Sequence, residues 1–393
     1  MIMQIVFEIL FWLCVTLVFH SYVLFPVFLK IAASFRGEQG RSYQDTYLPK
    51  VSILISAFNE EEVIEEKIIS VFKTDYPLDK LEILIGSDCS SDRTNKIIEN
   101  LVEEHKGSIR FYPFYVRQGK PNVINQLLSH AHGSVLILSD ANVIFDENTI
   151  RELIIPFQNQ KVGLVDSQMI NKGARPEGIS IQEKAYISRE VAIKHYESVL
   201  WGTMMGPFGG CFAMRKDLYQ KVPSNFLVDD FFLNMIVLEK GYQAINNPRA
   251  LVYEDVSNDL KIEFRRKVRI ATGNFQNLFR FRNLLSPPWS GLAFSFWGHK
   301  VIRWLGPFLF LTAMISLILL SFSSNFYLIL LSAYLILLGI PVFDYFLKKL
   351  RIHISLFRFI THFCAMNLAM FVGFIQFVKG VKSNVWQPTK RNQ

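Results

Sequence analysis

Three stretches of the chain run long and apolar without a charged residue to interrupt them. Ile9 to Leu29 and Leu305 to Phe343 contain no Asp, Glu, Lys or Arg, and Arg358 and Lys379 bracket a third run. A helix of about 20 apolar residues crosses a bilayer core, so each run is long enough to span. Leu305 to Phe343 is too long for one helix, and the polar Ser321, Ser323, Ser324 and Asn325 divide it. Between the first and second runs the pattern shortens. Val51 to Ala57, Leu81 to Ser87, Ile109 to Phe114 and Ser134 to Ser139 read as strands. Glu62 to Lys73, Asp92 to His105 (with Ser91 as its cap) and Asn122 to Ala131 read as the helices between them. Strands alternating with helices at this spacing predict a parallel sheet with helical crossovers. The expected plan is an N-terminal membrane helix and flank over 1–36, a linker over 37–49 and a soluble α/β domain over 50–285. An interfacial segment over 286–304, about three membrane-associated helices over 305–378 and a basic tail over 379–393 follow.

Composition agrees with that plan. Of 393 residues 50% are hydrophobic and only 19% charged, which excludes an unfolded chain. The net charge of +8 is uneven: Lys261, Arg265, Arg266, Lys267, Arg269, Arg280 and Arg282 crowd one segment against the single acid Glu263. Basic clusters beside apolar helices face cytoplasm and anionic headgroups, and no nucleic-acid-binding signature accompanies them. Lys30, Arg36 and Arg41 after the first run put the soluble domain in the cytoplasm by the same bias. That run lacks a basic n-region and a small-residue cleavage site, so it reads as a retained anchor. Cys14, Cys89, Cys211 and Cys364 are scattered, without metal-like or disulfide-like spacing. Three crossings after a cytoplasmic domain would put the basic tail outside, against the bias. Either the last segment is re-entrant or interfacial, or the bias fails.

Ligands of an open parallel sheet bind beyond the carboxyl ends of its strands. Here those ends read Ala57-Phe58-Asn59-Glu60, Ser87-Asp88 and Ser139-Asp140-Ala141-Asn142. Neither a G-x-G-x-x-G turn nor a P-loop follows the first strand. Acids at strand ends suit ribose hydroxyls, a base N–H and a divalent cation on a diphosphate.

At these residues the chain resembles the cellulose-synthase-like group of family 2 glycosyltransferases, over Lys50 to Leu285. The resemblance rests on ordered motifs: the first-strand end, Ser87-Asp88-Cys89-Ser90-Ser91-Asp92, Gly119-Lys120-Pro121-Asn122, Asp140-Ala141-Asn142, Gly209-Gly210-Cys211, Asp229-Asp230-Phe231 and Arg266-Lys267-Val268-Arg269. It implies an α/β GT-A (Rossmann-like nucleotide-sugar-binding) domain plus transmembrane α-helices, in a bacterial inner membrane. It further implies donor contacts from Ala57, Asn59, Glu60, Asp88, Lys120, Asp140, Asn142, Arg266 and Arg269, with Mg²⁺ or Mn²⁺ on Asp140 and Asn142. Asp230 is then the base that takes the acceptor's proton, with Gly209, Gly210, Cys211 and Asp229 on the acceptor side. Two departures matter. Asn142 stands where the group's D-x-D motif has a second acid, and Ile270 stands where the Q-x-x-R-W motif has an acceptor-lining Trp.

The implied activity is inverting transfer from a UDP-sugar to a lipid-linked or glycan acceptor at the membrane. The rivals are a processive β-linked polysaccharide synthase of poly-N-acetylglucosamine type and a non-catalytic nucleotide-sugar-binding regulator. A pure transporter would not explain the strand-end acids.

Overall fold

The structure is a computed structural model that describes residues 2–36, 47–172, 180–255, 260–350 and 352–385. Most of the expected linker, the expected tail's Lys390-Arg391 pair and Arg41 lie outside the described residues, as does the Lys261 side chain.

The first apolar run forms α1 (Ile2–Phe19) and α2 (Phe25–Arg36), joined by a π-helical turn over His20–Leu24. The α/β pattern then appears in order: β1 (Val51–Ala57), α3 (Ile64–Phe72), β2 (Leu81–Asp88), α4 (Thr94–Glu104), β3 (Ile109–Phe114), α5 (Lys120–Leu127) and β4 (Val135–Asp140). Helix α4 starts later than expected and Ser91 does not cap it. Asp92 Oδ1 instead accepts the Thr94 N–H at 3.0 Å, while the Ser91 N–H is drawn to Asn59 Oδ1 at 2.8 Å. Two short elements, β5 (Ile144–Phe145) and α6 (Thr149–Ile154), precede β6 (Val162–Lys172), α7 (Ser180–Leu200), β7 (Cys211–Arg215), α8 (Asp229–Glu239) and β8 (Gln243–Asp255).

These strands form one sheet in the order β3-β2-β1-β4-β7-β6-β8-β5. The first four pair in parallel, as the alternation predicts. The sheet as a whole is mixed, however, because β7 runs antiparallel to both β4 and β6. The strand order reverses direction beside β1, which puts the crevice for a ligand over the ends of β1, β2 and β4.

Strand β1 is buried on both faces, so its residues sort into two cores by parity. Val51, Ile53 and Ile55 pack with Ile64 and Ile68 of α3 and Ile98 of α4. Leu54 faces the other way, into a core that holds α5, α8, Phe275, Phe296 and Trp304. The second core therefore runs from the sheet into the helices of the C-terminal third.

Those helices are α9 (Leu260–Arg280), α10 (Gly291–Ser295), α11 (Ile302–Trp304), α12 (Gly306–Ser321), α13 (Asn325–Lys349) and α14 (Ser355–Lys379), with a second π-helical turn at Phe296–Val301. Ser324 accepts the Phe326 N–H and caps α13, ending the long apolar run where its polar residues fall. Among the described residues three helices are long and apolar enough to cross a membrane: Ile2–Arg36, α13 and α14. A fourth is counted if Gly291–Trp304 and Gly306–Ser321, bent by 62°, make one span. Only 6% of the apolar window of α13 is buried within the protein, which leaves a face that lipid would cover.

Helices α9 and α14 meet at small residues. A Cβ on Gly373 would lie 2.5 Å from Ala271 Cβ, and Thr272 Oγ1 donates to the Gly373 carbonyl at 3.2 Å. Helix α14 crosses α12 steeply: Phe363 touches Phe310, whereas Phe374, eleven residues on, touches Phe308. The chain after α14 turns back, and the Asn384 amide lies against Gly119 at the head of α5.

Candidate active site

The loops beyond β1 and β2 are stitched together by their own polar residues. Asn59, at φ 53°, takes the Ser91 N–H, and the Glu60 N–H donates to Thr94 Oγ1 at 2.8 Å. A left-handed backbone suits Asn, whose side chain bonds locally. Asp88 is almost fully buried, and both its oxygens are engaged. Oδ1 accepts the Gln118 N–H and Oδ2 the Gly119 N–H, each at 2.8 Å, and the Arg117 guanidinium sits 3.3 Å from Oδ2. The same guanidinium lies over the Phe58 ring, 3.1 Å from its centroid. Asp88 thus holds the 117–119 loop in place over β1.

Asp140 ends β4 and pairs with Lys120 at 2.5 Å. Burial pulls the Lys120 ammonium down, but the Asp140, Asp229 and Asp230 carboxylates outweigh it and hold the group above its usual range. Lys120 stays a cation at any working pH. The Asn142 amide donates to Glu254 Oε1 at 2.9 Å, so β8 reaches the site through its terminal acids. Beneath this loop lies Lys67, fully buried, donating to Ser139 Oγ at 2.8 Å and to the Val143 carbonyl at 2.5 Å. Burial pushes its ammonium down to about 7.

Asp229 and Asp230 open α8, where the helix dipole favours acids. Asp230 Oδ1 accepts the Phe231 N–H at 2.7 Å. Burial, with the neighbouring Asp229 charge second, raises the Asp230 carboxyl to about 6. A carboxyl in that range can exchange its proton near neutral pH. Gly209 makes room for it. At φ 85° the glycine is in the left-handed region, and a Cβ there would stand 2.3 Å from Asp230 Oδ2. We expect Gly209→Ala to lower turnover roughly tenfold by displacing that carboxylate; unchanged turnover with soluble, folded protein would show that the carboxylate position is not strict.

Two cavities meet at Asp230. The first, of about 240 Å³, is walled by Asp88, Lys120, Asp140, Asn142, Arg269 and Asn384. The second, of about 290 Å³, runs from Asp230 toward α14. Glu254, Asp255, Arg266 and Ile270 border both. Arg266 pairs with Glu263 at 3.4 Å, and Arg269 donates to the Leu227 carbonyl at 3.4 Å. The first cavity thus gathers cations and carboxylates together, and Asp230 lines the second as well.

Glu60, Gly209 and Asp229 also line the first cavity. Ala57, Asn59, Gly210 and Cys211 do not. Ala57 and Cys211 are buried in the core, Asn59 ties two loops, and the Gly210 carbonyl accepts the Asp140 N–H at 2.9 Å. Burial pushes the Cys211 thiol up to about 12, which leaves it unreactive. Phe58, Arg117, Glu254, Asp255 and Asn384 were not expected. Glu254-Asp255 carries the same strand-end signal as Asp88 and Asp140; nothing local marks Asn384.

Residues 52–222 match the family model Glycosyl transferase family 2. The chain carries a family 2 glycosyltransferase domain. Its relatives include a probable glycosyltransferase, YdaM, of Bacillus subtilis, 27% identical over 60% of this chain and 57% of that protein. A poly-beta-1,6-N-acetyl-D-glucosamine synthase of Staphylococcus epidermidis is 26% identical over 58% of this chain and 56% of its own length. The chain therefore spans little more than half the length of these curated relatives. A beta-monoglucosyldiacylglycerol synthase of Trichormus variabilis is 28% identical over 44% of this chain and 37% of its own. The mannosyltransferase PcManGT of Pyrobaculum calidifontis, solved with GDP-Man and Mn²⁺, shares the fold. Its TM-score is 0.70 at 20% identity, covering 94% of this chain and 99% of that one. The fold is thus a mixed α/β GT-A-like glycosyltransferase fold.

Proposed function

We propose that the protein is a membrane-bound inverting glycosyltransferase that moves a sugar from a UDP-sugar to a lipid-linked or glycan acceptor, in cell-surface polysaccharide or glycolipid synthesis. The observation that carries this reading is Asp230 at the meeting of the two cavities. Donor and acceptor can then approach the same carboxylate from opposite sides. An acceptor hydroxyl attacks the anomeric carbon, the bond to the diphosphate oxygen breaks with its electron pair, and Asp230 takes the hydroxyl proton. Attack opposite the leaving group inverts the anomeric centre. Lys120, Arg266 and Arg269 face the charge that gathers on the departing diphosphate.

Asp140 brings one carboxylate and Asn142 a neutral amide. Among the described residues no three His, Cys, Asp or Glu side chains could hold an ion by themselves. That set fits Mg²⁺ or Mn²⁺ shared with a nucleotide diphosphate, since Mg²⁺ is ordinarily held by one or two carboxylates plus substrate phosphates. Such an ion would supply neutralisation of the leaving group's charge.

The reading also covers topology. Asn384 beside Gly119 argues that the chain after α14 is on the side of the family 2 domain. An even number of crossings then separates them, with α14 at the interface across α12, and the basic residues Lys379 and Lys382 fall in the cytoplasm as the charge bias asks.

Purified protein in vesicles, offered UDP-glucose, UDP-N-acetylglucosamine and GDP-mannose in turn, tests the donor. Release of free UDP is the expected readout, and release of GDP alone would overturn the UDP assignment. The synthase relative from Staphylococcus epidermidis favours a second reading, processive polymer synthesis. Ile270 opposes it: it borders both cavities where stacking on a sugar would be needed, and it has no π-face. Trp304 does not substitute, since Phe231 at 5.4 Å and Phe296 at 6.0 Å already pack against it. Products of one or a few sugars are expected on sizing gels; a high-molecular-weight polymer made from UDP-sugar alone would establish the second reading.

A further inference from the structure

We infer that the acceptor is an uncharged lipid alcohol, such as a diacylglycerol or its monoglycosyl derivative. It seats its hydroxyl head in the second cavity and leaves its chains in the bilayer. This rests on the transferase reading above and narrows its acceptor.

The cavity has two kinds of wall. At the head of α8 and the end of β8 are Asp230, Glu254 and Asp255, which can accept hydroxyl protons; elsewhere Met366 and Met370 of α14 and Trp304 give an apolar surface. Tyr22, from the N-terminal helix, joins them. One wall thus comes from the N-terminal candidate span and another from the apolar α14 laid at the interface. A volume of about 290 Å³ suits a head of one sugar or a glycerol, being near the lower end of ligand pockets, and is too small for two acyl chains.

A second observation is independent of the cavity's shape. Both π-helical turns, His20–Leu24 and Phe296–Val301, fall at this cavity: Tyr22 comes from one, His299 and Lys300 from the other. They dock on each other, with Ser21 Oγ donating to the Gly298 carbonyl at 2.7 Å and Arg303 reaching both Ser21 oxygens at 3.3 Å. Irregular helix near membrane depth is tolerated where it is buried in protein or lines a polar cavity, and π-turns inside helices often mark sites.

Charge then selects the head. Each cation in the wall already has a carboxylate. Lys194 pairs with Asp166 at 3.4 Å, Arg266 and Lys267 with Glu263, and Lys300 and Arg303 with Glu190. Glu190 also accepts from His299 Nε2 at 2.9 Å. A lipid phosphate would have to compete with Asp166, Glu190 and Glu263 for these cations, and it would meet the further carboxylates Asp230, Glu254 and Asp255 in the same wall, which repel it. A hydroxyl head can donate to Glu254 or Asp255 and accept from the ammonium groups with every pair intact.

The test uses the full chain in phosphatidylcholine vesicles with labelled UDP-sugar and four acceptors. These are diacylglycerol, monoglucosyl diacylglycerol, undecaprenyl phosphate and a water-soluble N-acetylglucosamine oligomer. Label in the organic phase and free UDP are both measured. We expect transfer to one of the uncharged lipids at least tenfold above the lipid phosphate and the oligomer. Preference for the lipid phosphate or the oligomer overturns the inference, as does UDP release with no label on the uncharged lipids, while the transferase reading survives all three. No nucleotide release from any donor removes the transferase reading, and this inference with it. Met366→Trp, which fills the apolar wall, should raise the KM for the uncharged lipid at least tenfold with a smaller change in kcat. Leu335→Trp, on the exposed side of α13, should leave both unchanged. Equal kinetics for the two variants would overturn the seat, and the acceptor panel stands without either.

Discussion

Asp230→Asn should lower kcat by about 10² or more while the nucleotide still binds. The substitution keeps shape and the Phe231 N–H contact, and removes only the ability to take a proton. Unaltered protein should show kcat/KM rising with pH and levelling off above about 6, where burial and Asp229 have raised this carboxyl; the variant should lose that limb. The sign for stability is opposite to that for activity. A carboxyl raised in the fold binds its proton more tightly there than in the unfolded chain, so stability falls as pH rises from the ordinary carboxylate range through about 6. Asp230→Asn should therefore melt no lower than the parent at pH 8, and an inactive variant cannot be dismissed as unfolded. Near-full turnover by Asp230→Asn would mean that the base lies elsewhere.

Excess EDTA should abolish turnover, by about 10²-fold or more, with Mg²⁺ or Mn²⁺ restoring it. Asn142 contributes no charge, so the ion should be stripped readily. Asn142→Asp would face Glu254 with a second carboxylate in place of a donated hydrogen bond, and only a cation between them relieves that repulsion. That variant should reach half-maximal rate at a lower cation concentration. Full UDP release in EDTA would instead leave Lys120, Arg266 and Arg269 as the sole neutralising groups.

Much of the site is legible in the chain because an open parallel sheet puts its strand ends side by side. Asp88 and Asp140 are far apart in sequence yet join one cavity wall once β2, β1 and β4 pair. The same rule reaches Glu254-Asp255, but β8 joins those strands by way of β6 and the antiparallel β7, which no local alternation announces. Asp88 lines the first cavity as a strand-end acid should, while backbone N–H groups of a loop thirty residues later bond to its oxygens, a partnership that depends on where the loop lands. Ser91 fails as a cap for a like reason: Asn59 competes for it from another strand end. Asn384 is out of reach of any periodicity, because its place follows from how α14 crosses α12 and α9. Hydropathy reports that α14 is apolar enough to span, and is blind to the direction in which it is laid.

The core that begins at Leu54 and ends at Phe296 and Trp304 has a consequence for how such enzymes can be rebuilt. With that core continuous across the seam and Asn384 completing the first cavity, the site is not a detachable cartridge. A chain cut after residue 285 to yield a soluble enzyme would expose Phe275 and Phe281 and remove one wall from each cavity. A chimera that exchanges the helices after residue 285 would carry over one wall of the second cavity along with a mismatched core.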